Sequence, residues 1–250
     1  YLEVSKGNIP GTVAGFISGT NPDVSTTVSE TIWSQGGSYV YLTADTQLYI
    51  SSSSASDTAV TLLISGLDDT YTEVTRTVTL NGQTQVAISD LIFRVHLMLV
   101  TGSTSPVGEV YLAETDTLTA GVPDTAAKIK AKIALTVDEL NAPIDTGTDY
   151  ASNNFTHLGI YTVPAGKTLY AIYIPIFTSK NQDIIFQGRV RSFGGVWLLR
   201  SPTPMYQTGI AQEFQTRTAI PAKTDIEFRA IAGSAGQNLH FQLQFLLVDD

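Results

Sequence analysis

The side chains able to do chemistry are few and scattered. The chain holds three histidines, His96, His157 and His240, and no cysteine. Thiolate nucleophiles, disulfides and cysteine-bound zinc are therefore excluded. No His-x-His or His-x-x-x-His spacing occurs, so the simplest histidine metal signature is missing. His96 and His240 fall at strand-like positions and read as surface or interface histidines. Asp68-Asp69 follows Gly66-Leu67, which predicts a turn in which Asp bonds its own backbone. Calcium is the functional alternative for such a loop, but no Asp-x-Asp-x-Asp-Gly run supports it. A distant pair of carboxylates of the glycosidase kind has no specific support. Gly-x-Ser-x-Gly, the P-loop and the dinucleotide fingerprint are all absent. The expectation is a protein without catalytic residues, cofactor or metal, and not an enzyme.

Composition points the same way. Of 250 residues, 43% are hydrophobic and only 15% charged, against about 25% charged in an average protein. The net charge is −9 and the pI about 4.7. No basic stripe is available to follow a phosphate backbone, so no nucleic-acid partner is expected. The longest apolar run, residues 91–100, is broken by Arg94 and His96. It has about half the length of a membrane span, so no membrane partner is expected either.

The elements that would position any site are strands. Residues 57–100 are rich in Thr, Val, Leu and Ile, with Gly, Asn or Asp at each reversal, which predicts four antiparallel strands. Asn81-Gly82 predicts a type I′ hairpin turn with φ > 0 at both residues. In the last of these strands Leu91, Phe93, Val95, Leu97 and Leu99 are expected to face the core. Ile92, Arg94, His96, Met98 and Val100 are expected to face solvent, a second layer or a subunit. Residues 125–135 predict a strand with Lys128, Lys130 and Lys132 on an exposed face; an anion patch is the functional alternative. Residues 136–156 lack a sustained period and predict a linker. Beyond them Pro164-Ala165-Gly166 predicts a turn. Residues 238–248 predict a strand with Leu239, Phe241, Leu243, Phe245 and Leu247 on one face and Gln242 and Gln244 on the other.

The expected organisation is all-β with little helix. An N-terminal arm (1–27) leads into a first β-sandwich (28–135), the linker (136–156) and a second β-sandwich (157–250). The two jelly-roll-like halves stand in tandem.

Three passages carry a resemblance: Ile32-Trp33 with Gly36-Gly37-Ser38-Tyr39, the stretch from Gly66-Leu67-Asp68-Asp69 to Asn81-Gly82-Gln83, and Tyr161-Thr162-Val163-Pro164-Ala165-Gly166-Lys167-Thr168. Together they resemble virion structural proteins of marine tailed bacteriophages, and the likeness touches both halves. It implies a non-enzymatic assembly role on the phage particle, as a capsid decoration or cement protein or a head-tail-associated or tail protein. Its partners would be other virion proteins, such as the major capsid protein, and further copies of itself in a trimer. The alternatives are a receptor- or carbohydrate-binding β-sandwich of a tail fibre and a double jelly-roll capsid protein.

Apolar side chains left off the core faces predict where copies meet. These are Ile92, Met98 and Val100, with Tyr1, Val13, Phe16 and Ile17 of the N-terminal arm. An isolated monomer seldom exposes so much apolar area in one patch, and closed symmetry is the usual way to cover it. The arm is the element expected to cross to a neighbour.

Overall fold

The structure, a computed structural model, describes residues 2–135, 154–178, 183–206, 209–214 and 219–250. The chain opens with a single helical turn, α1 (Leu2–Ser5), then β1 (Thr12–Asn21) and β2 (Glu30–Thr31). Nine strands follow: β3 (Leu48–Ser52), β4 (Thr61–Leu67), β5 (Glu73–Thr79), β6 (Val86–Ala87), β7 (Arg94–Val100), β8 (Val110–Glu114), β9 (Leu118–Thr119), β10 (Val122–Pro123) and β11 (Ile129–Ile133). The chain closes with β12 (Ile160–Thr162), β13 (Lys167–Thr178), β14 (Ile184–Arg191), β15 (Leu198–Met205), β16 (Gly209–Glu213), β17 (Ala219–Ile220), β18 (Asp225–Ala232) and β19 (Leu239–Asp249). The fold is all-β, as composition and alternation predict.

The strands divide into two compact units. One is Ser38–Leu158; the other joins Tyr1–Gly37 to Gly159–Asp250. The first, here the inserted unit, interrupts the second, the terminal unit. The halves are therefore nested in sequence rather than consecutive. The linker expected at 136–156 lies mostly outside the described residues.

In the terminal unit one sheet has the order β1-β19-β13-β16, with β17 also on β13. The other runs β12-β18-β14-β15, with β2 on β18. The expected arm is a built-in strand: β1 pairs antiparallel with β19 from Thr12↔Val248 to Asn21↔Leu239. Its glycines explain the docking. A Cβ on Gly15 would sit 2.6 Å from the Phe245 ring, and one on Gly19 would sit 2.4 Å from Phe241. Both glycines therefore make room for rings that project from β19. Along β19, Leu239, Phe241, Leu243, Phe245 and Leu247 are all buried, and the period-2 expectation holds there. Phe186 and Phe228 of the second sheet meet Phe241 with ring centroids 5.5 and 4.5 Å apart, which closes a β-sandwich core.

The inserted unit has sheets ordered β11-β8-β3-β6 and β5-β4-β7, and the small pair β10-β9. Three local expectations fail here. Asn81-Gly82 does not close a hairpin, because β5 pairs with β4 while β6 pairs with β3. Of the two residues only Gly82 has positive φ, +57°, and the turn closes from Thr84 N–H to the Asn81 carbonyl, at 3.1 Å. The turn hands the chain from one sheet to the other.

The second failure is the face of residues 91–100. β4 and β7 pair Ile64↔Met98 and Ser65↔Leu97, then Gly66↔Val95, so His96 is an extra residue. A bulge of this kind reverses the alternation. Met98 is buried on one side of it and Val95 on the other, while Leu97 and Leu99 are half-exposed. Ile92 precedes the strand, bridges to Thr46 and is buried too; Leu91 is exposed.

The third is Lys130. β11 and β8 pair Ile129↔Ala113 and then Ala131↔Leu112, which leaves Lys130 as the bulged residue. Its side chain is turned inward and fully buried, not aligned with Lys128 and Lys132 on an open face.

Candidate functional site

The most concentrated polar chemistry lies on the β18–β14 pair of the terminal unit. Along β18, Ile226, Phe228 and Ala230 enter the core, which sends Asp225, Glu227 and Arg229 to the opposite face. Register sets Arg189 across from Glu227 and Arg191 across from Asp225. Arg189 donates to Glu227 Oε2 from Nε at 3.2 Å and Nη2 at 2.6 Å, and Thr31 Oγ1 donates to Oε1 at 2.6 Å. Arg191 donates to Asp225 Oδ2 from Nε at 3.0 Å and Nη2 at 2.6 Å, and Thr162 Oγ1 donates to Oδ1 at 2.6 Å. The Trp197 ring lies against both guanidiniums, at 4.5 and 4.7 Å. Each carboxylate oxygen thus already accepts a charge-assisted or hydroxyl bond. That is the geometry of a structural ladder, with cation–π packing over it.

The inserted unit has a ladder of the opposite sense. Lys128 meets Asp116 at 3.0 Å, Lys130 meets Glu114 at 2.9 Å and Lys132 meets Glu109 at 2.8 Å. Lys130 Nζ also donates to the carbonyls of Val40 at 3.0 Å and Ala127 at 2.8 Å, so its three donors are used. Every lysine of the expected anion patch faces an acid instead. Glu109 also accepts the Tyr111 hydroxyl; burial and that neighbouring carboxylate push the Tyr111 phenol well above its ordinary range.

Two further buried carboxylates pin loops. Asp57 accepts from Ser52 Oγ, Val107 N–H and Gly108 N–H at 2.5, 2.9 and 3.0 Å. Glu30 accepts from Asn21 Nδ2, Ser25 N–H and Gly37 N–H at 2.8, 2.9 and 3.0 Å.

The histidines do not converge. His240 pairs with Thr20 Oγ1 through Nδ1 at 2.7 Å, and burial lowers its pKa. His157 packs on Phe155 with ring centroids 4.6 Å apart, and His96 is the bulge residue of β7. Asp68 builds the expected turn: its Oδ1 accepts Thr70 Oγ1, Thr70 N–H and Thr72 N–H at 2.6, 2.9 and 3.0 Å. The Thr70 hydroxyl bond is the main reason its carboxyl titrates below the ordinary value. Among the described residues no three His, Asp or Glu side chains gather as metal ligands would.

The expected contact residues separate. Ile92 and Met98 are fully buried and Ile17 nearly so, so none is open to a partner. The cause is the bulge at His96 for Met98, the Thr46 bridge for Ile92, and the docking of β1 for Ile17. Val100 is half-buried, Val13 and Phe16 are exposed, and Tyr1 lies outside the described residues. The arm itself pairs with its own chain.

The larger apolar surface was not legible as a patch. At the β14–β15 turn Phe193, Val196, Leu198 and Leu199 are all exposed, with Val196 at 74%. Phe193 and Val196 lie in the turn, and Leu198 and Leu199 open β15 across from Val190 and Arg189, on opposite faces of the sheet; the run of apolar residues at 196–199 was the available signal. Of fourteen exposed large hydrophobic residues among those described, eleven belong to the terminal unit. Charge divides the other way. Residues 38–158 hold five Lys and Arg against fourteen Asp and Glu, a net −9; the rest hold nine against nine, a net zero.

No protein-family profile matches the chain, and no curated protein does. Among solved structures it is similar to the VP2 subviral particle of infectious bursal disease virus, with 10% identity and a TM-score of 0.25 over 95% of this chain and 72% of that one. The T=1 particles derived from the same virus give 12% and 0.26 over 96% and 70%. A protein from Parabacteroides distasonis gives 12% and 0.21 over 97% and 91%. At these TM-scores the likeness carries no argument about fold or function.

Proposed function

We propose that this chain is a non-enzymatic structural protein of a virion that works through protein–protein contacts, with the terminal unit as its contact surface. The observation that carries the contact role is the division of surface character. The terminal unit is electrically neutral and exposes most of the large apolar side chains, whereas the inserted unit carries the whole net charge. Enrichment in exposed aromatic and aliphatic groups marks the core of protein interfaces. A net −9 on the other unit keeps an assembled surface soluble. Asp57, Glu30, Asp225 and Glu227 are each engaged in hydrogen bonds, which fits a scaffold in which carboxylates hold structure.

The virion placement, and the finer reading as a decoration, cement or head-tail-associated protein of a phage, rest on the three phage-like passages. The partners in that reading are copies of this chain, in a trimer, and other virion proteins such as the major capsid protein.

Two measurements test the proposal. Sedimentation of the full chain across micromolar concentrations is expected to show a homo-oligomer, and Phe193→Ser with Val196→Ser is expected to weaken it while thermal stability holds. A strictly monomeric protein removes the self-assembly reading. Antibody labelling of particles from the source is expected to mark symmetric positions on the shell or tail; unlabelled particles overturn the virion placement. Turnover of a glycan or peptide that a single Asp or Glu substitution abolishes would overturn the non-enzymatic reading.

A further inference from the structure

The terminal unit holds a partly open cavity of about 380 Å³ between its two sheets. Val190, Ile226 and Phe228 wall it from one sheet, and Ala171, Leu243 and Ile220 from the other side. Its size falls at the small end of the roughly 300–1,000 Å³ typical of small-molecule sites. The sequence leaves the space open. Gly188 stands on the inward row of β14 between Phe186 and Val190 and brings no side chain, and Ala171 on β13 brings only a methyl group.

One residue gives the cavity a chemical direction. Arg189 lines it but is already committed to Glu227. Ser192 and Thr224 line it too, but Thr224 Oγ1 is sealed off and cannot be reached from the space. Arg200 also lines it, is exposed, and has no ion-pair partner among the described residues. An apolar chamber with one idle guanidinium is complementary to an apolar molecule that ends in an anion.

We propose that this cavity binds a small aliphatic carboxylate, with its chain between the sheets and its carboxylate reaching Arg200. The proposal does not rest on the virion reading, and its failure would leave that reading untouched.

The test is a titration of the full chain with dodecanoate below its micellar concentration. Calorimetry follows binding, and Trp197, stacked on the cavity residue Arg189, serves as a fluorescence reporter. Saturable binding at one site per chain is expected. Arg200→Gln is expected to weaken dodecanoate binding about tenfold, the size of one lost charge-assisted contact, and to leave the uncharged analogue dodecanol unchanged. Ala171→Phe fills the chamber and is expected to abolish binding of both. Arg200 is at an exposed position, so its variant decides the matter even if Ala171→Phe fails to fold. Absence of saturable binding to the folded protein overturns the proposal. So does unchanged dodecanoate binding by Arg200→Gln, or by a folded Ala171→Phe protein.

Discussion

Both units of this chain are antiparallel β and both bury charge, but they do so in different mixtures. The inserted unit carries a net −9 and buries two cations, Arg94 and Lys130, with one anion, Asp57; the terminal unit is neutral and buries three anions, Glu30, Asp225 and Glu227. Net charge and buried charge are thus set independently. The first is a matter of solubility and association; the second depends on whether each donor and acceptor meets a partner. Lys130 meets two carbonyls and one carboxylate, whereas Asp225 and Glu227 each meet an arginine fork and a threonine hydroxyl. An arginine fork fixes direction as well as charge, and an ammonium does not. The terminal unit therefore holds the more rigid of the two ladders.

That contrast breaks most sharply at Glu227. Glu227→Leu strips the acceptor from Arg189 and Thr31 and leaves a partly buried guanidinium uncompensated. Urea unfolding is expected to show a loss of about 3–5 kcal/mol. If the loss is below that of any lysine variant, the arginine ladder is not the stronger one. Lys130→Met comes next, with an expected loss of about 1–3 kcal/mol from unmet acceptors. Its partner Glu114 is 35% exposed and can return to water, which holds the loss below that of Glu227.

A change of opposite sign sharpens the picture of the terminal unit. Thr224→Val removes the hydroxyl that lacks a partner and keeps the shape. Chemical denaturation of the ligand-free protein is expected to show a gain of about 1 kcal/mol. A loss of that size would mean that the hydroxyl already has a partner.

The smallest effect concerns His240. Burial disfavours its charged form, so its pKa in the folded chain lies below the ordinary 6.5. The unfolded chain takes the proton first as pH falls. Its contribution to stability is therefore full above pH 6.5 and declines as pH drops from there through the folded-state value. Comparing stability against pH for the wild type and His240→Gln is expected to show a shallower fall in the variant just below that pH. Parallel curves would assign the acid sensitivity to carboxylates alone.

The sequence by itself determined what depends on neighbours within a few residues. Period-2 alternation at 239–247 places five apolar side chains in the core because β19 is regular and lies between two partner strands. The Asp68 turn is equally local, since its carboxylate bonds Thr70 and Thr72. The absence of cysteine and of any close histidine pair is likewise legible without a fold.

Only the tertiary structure decided where register changes and which distant segments meet. One extra residue at His96 moves Met98 from an expected contact face into the core, and one at Lys130 buries a lysine expected in solvent. A bulge leaves no local signature in a run of strand-forming residues, because it is imposed by the partner strand. The N-terminal segment joins the terminal unit through partners such as Thr20 and His240, 220 residues apart. The forks of Arg189 and Arg191 find their carboxylates only because β14 and β18 align across the sheet. Pairing over such separations is chosen by the burial and hydrogen bonding that the assembled sheets supply, and those are properties of the whole chain.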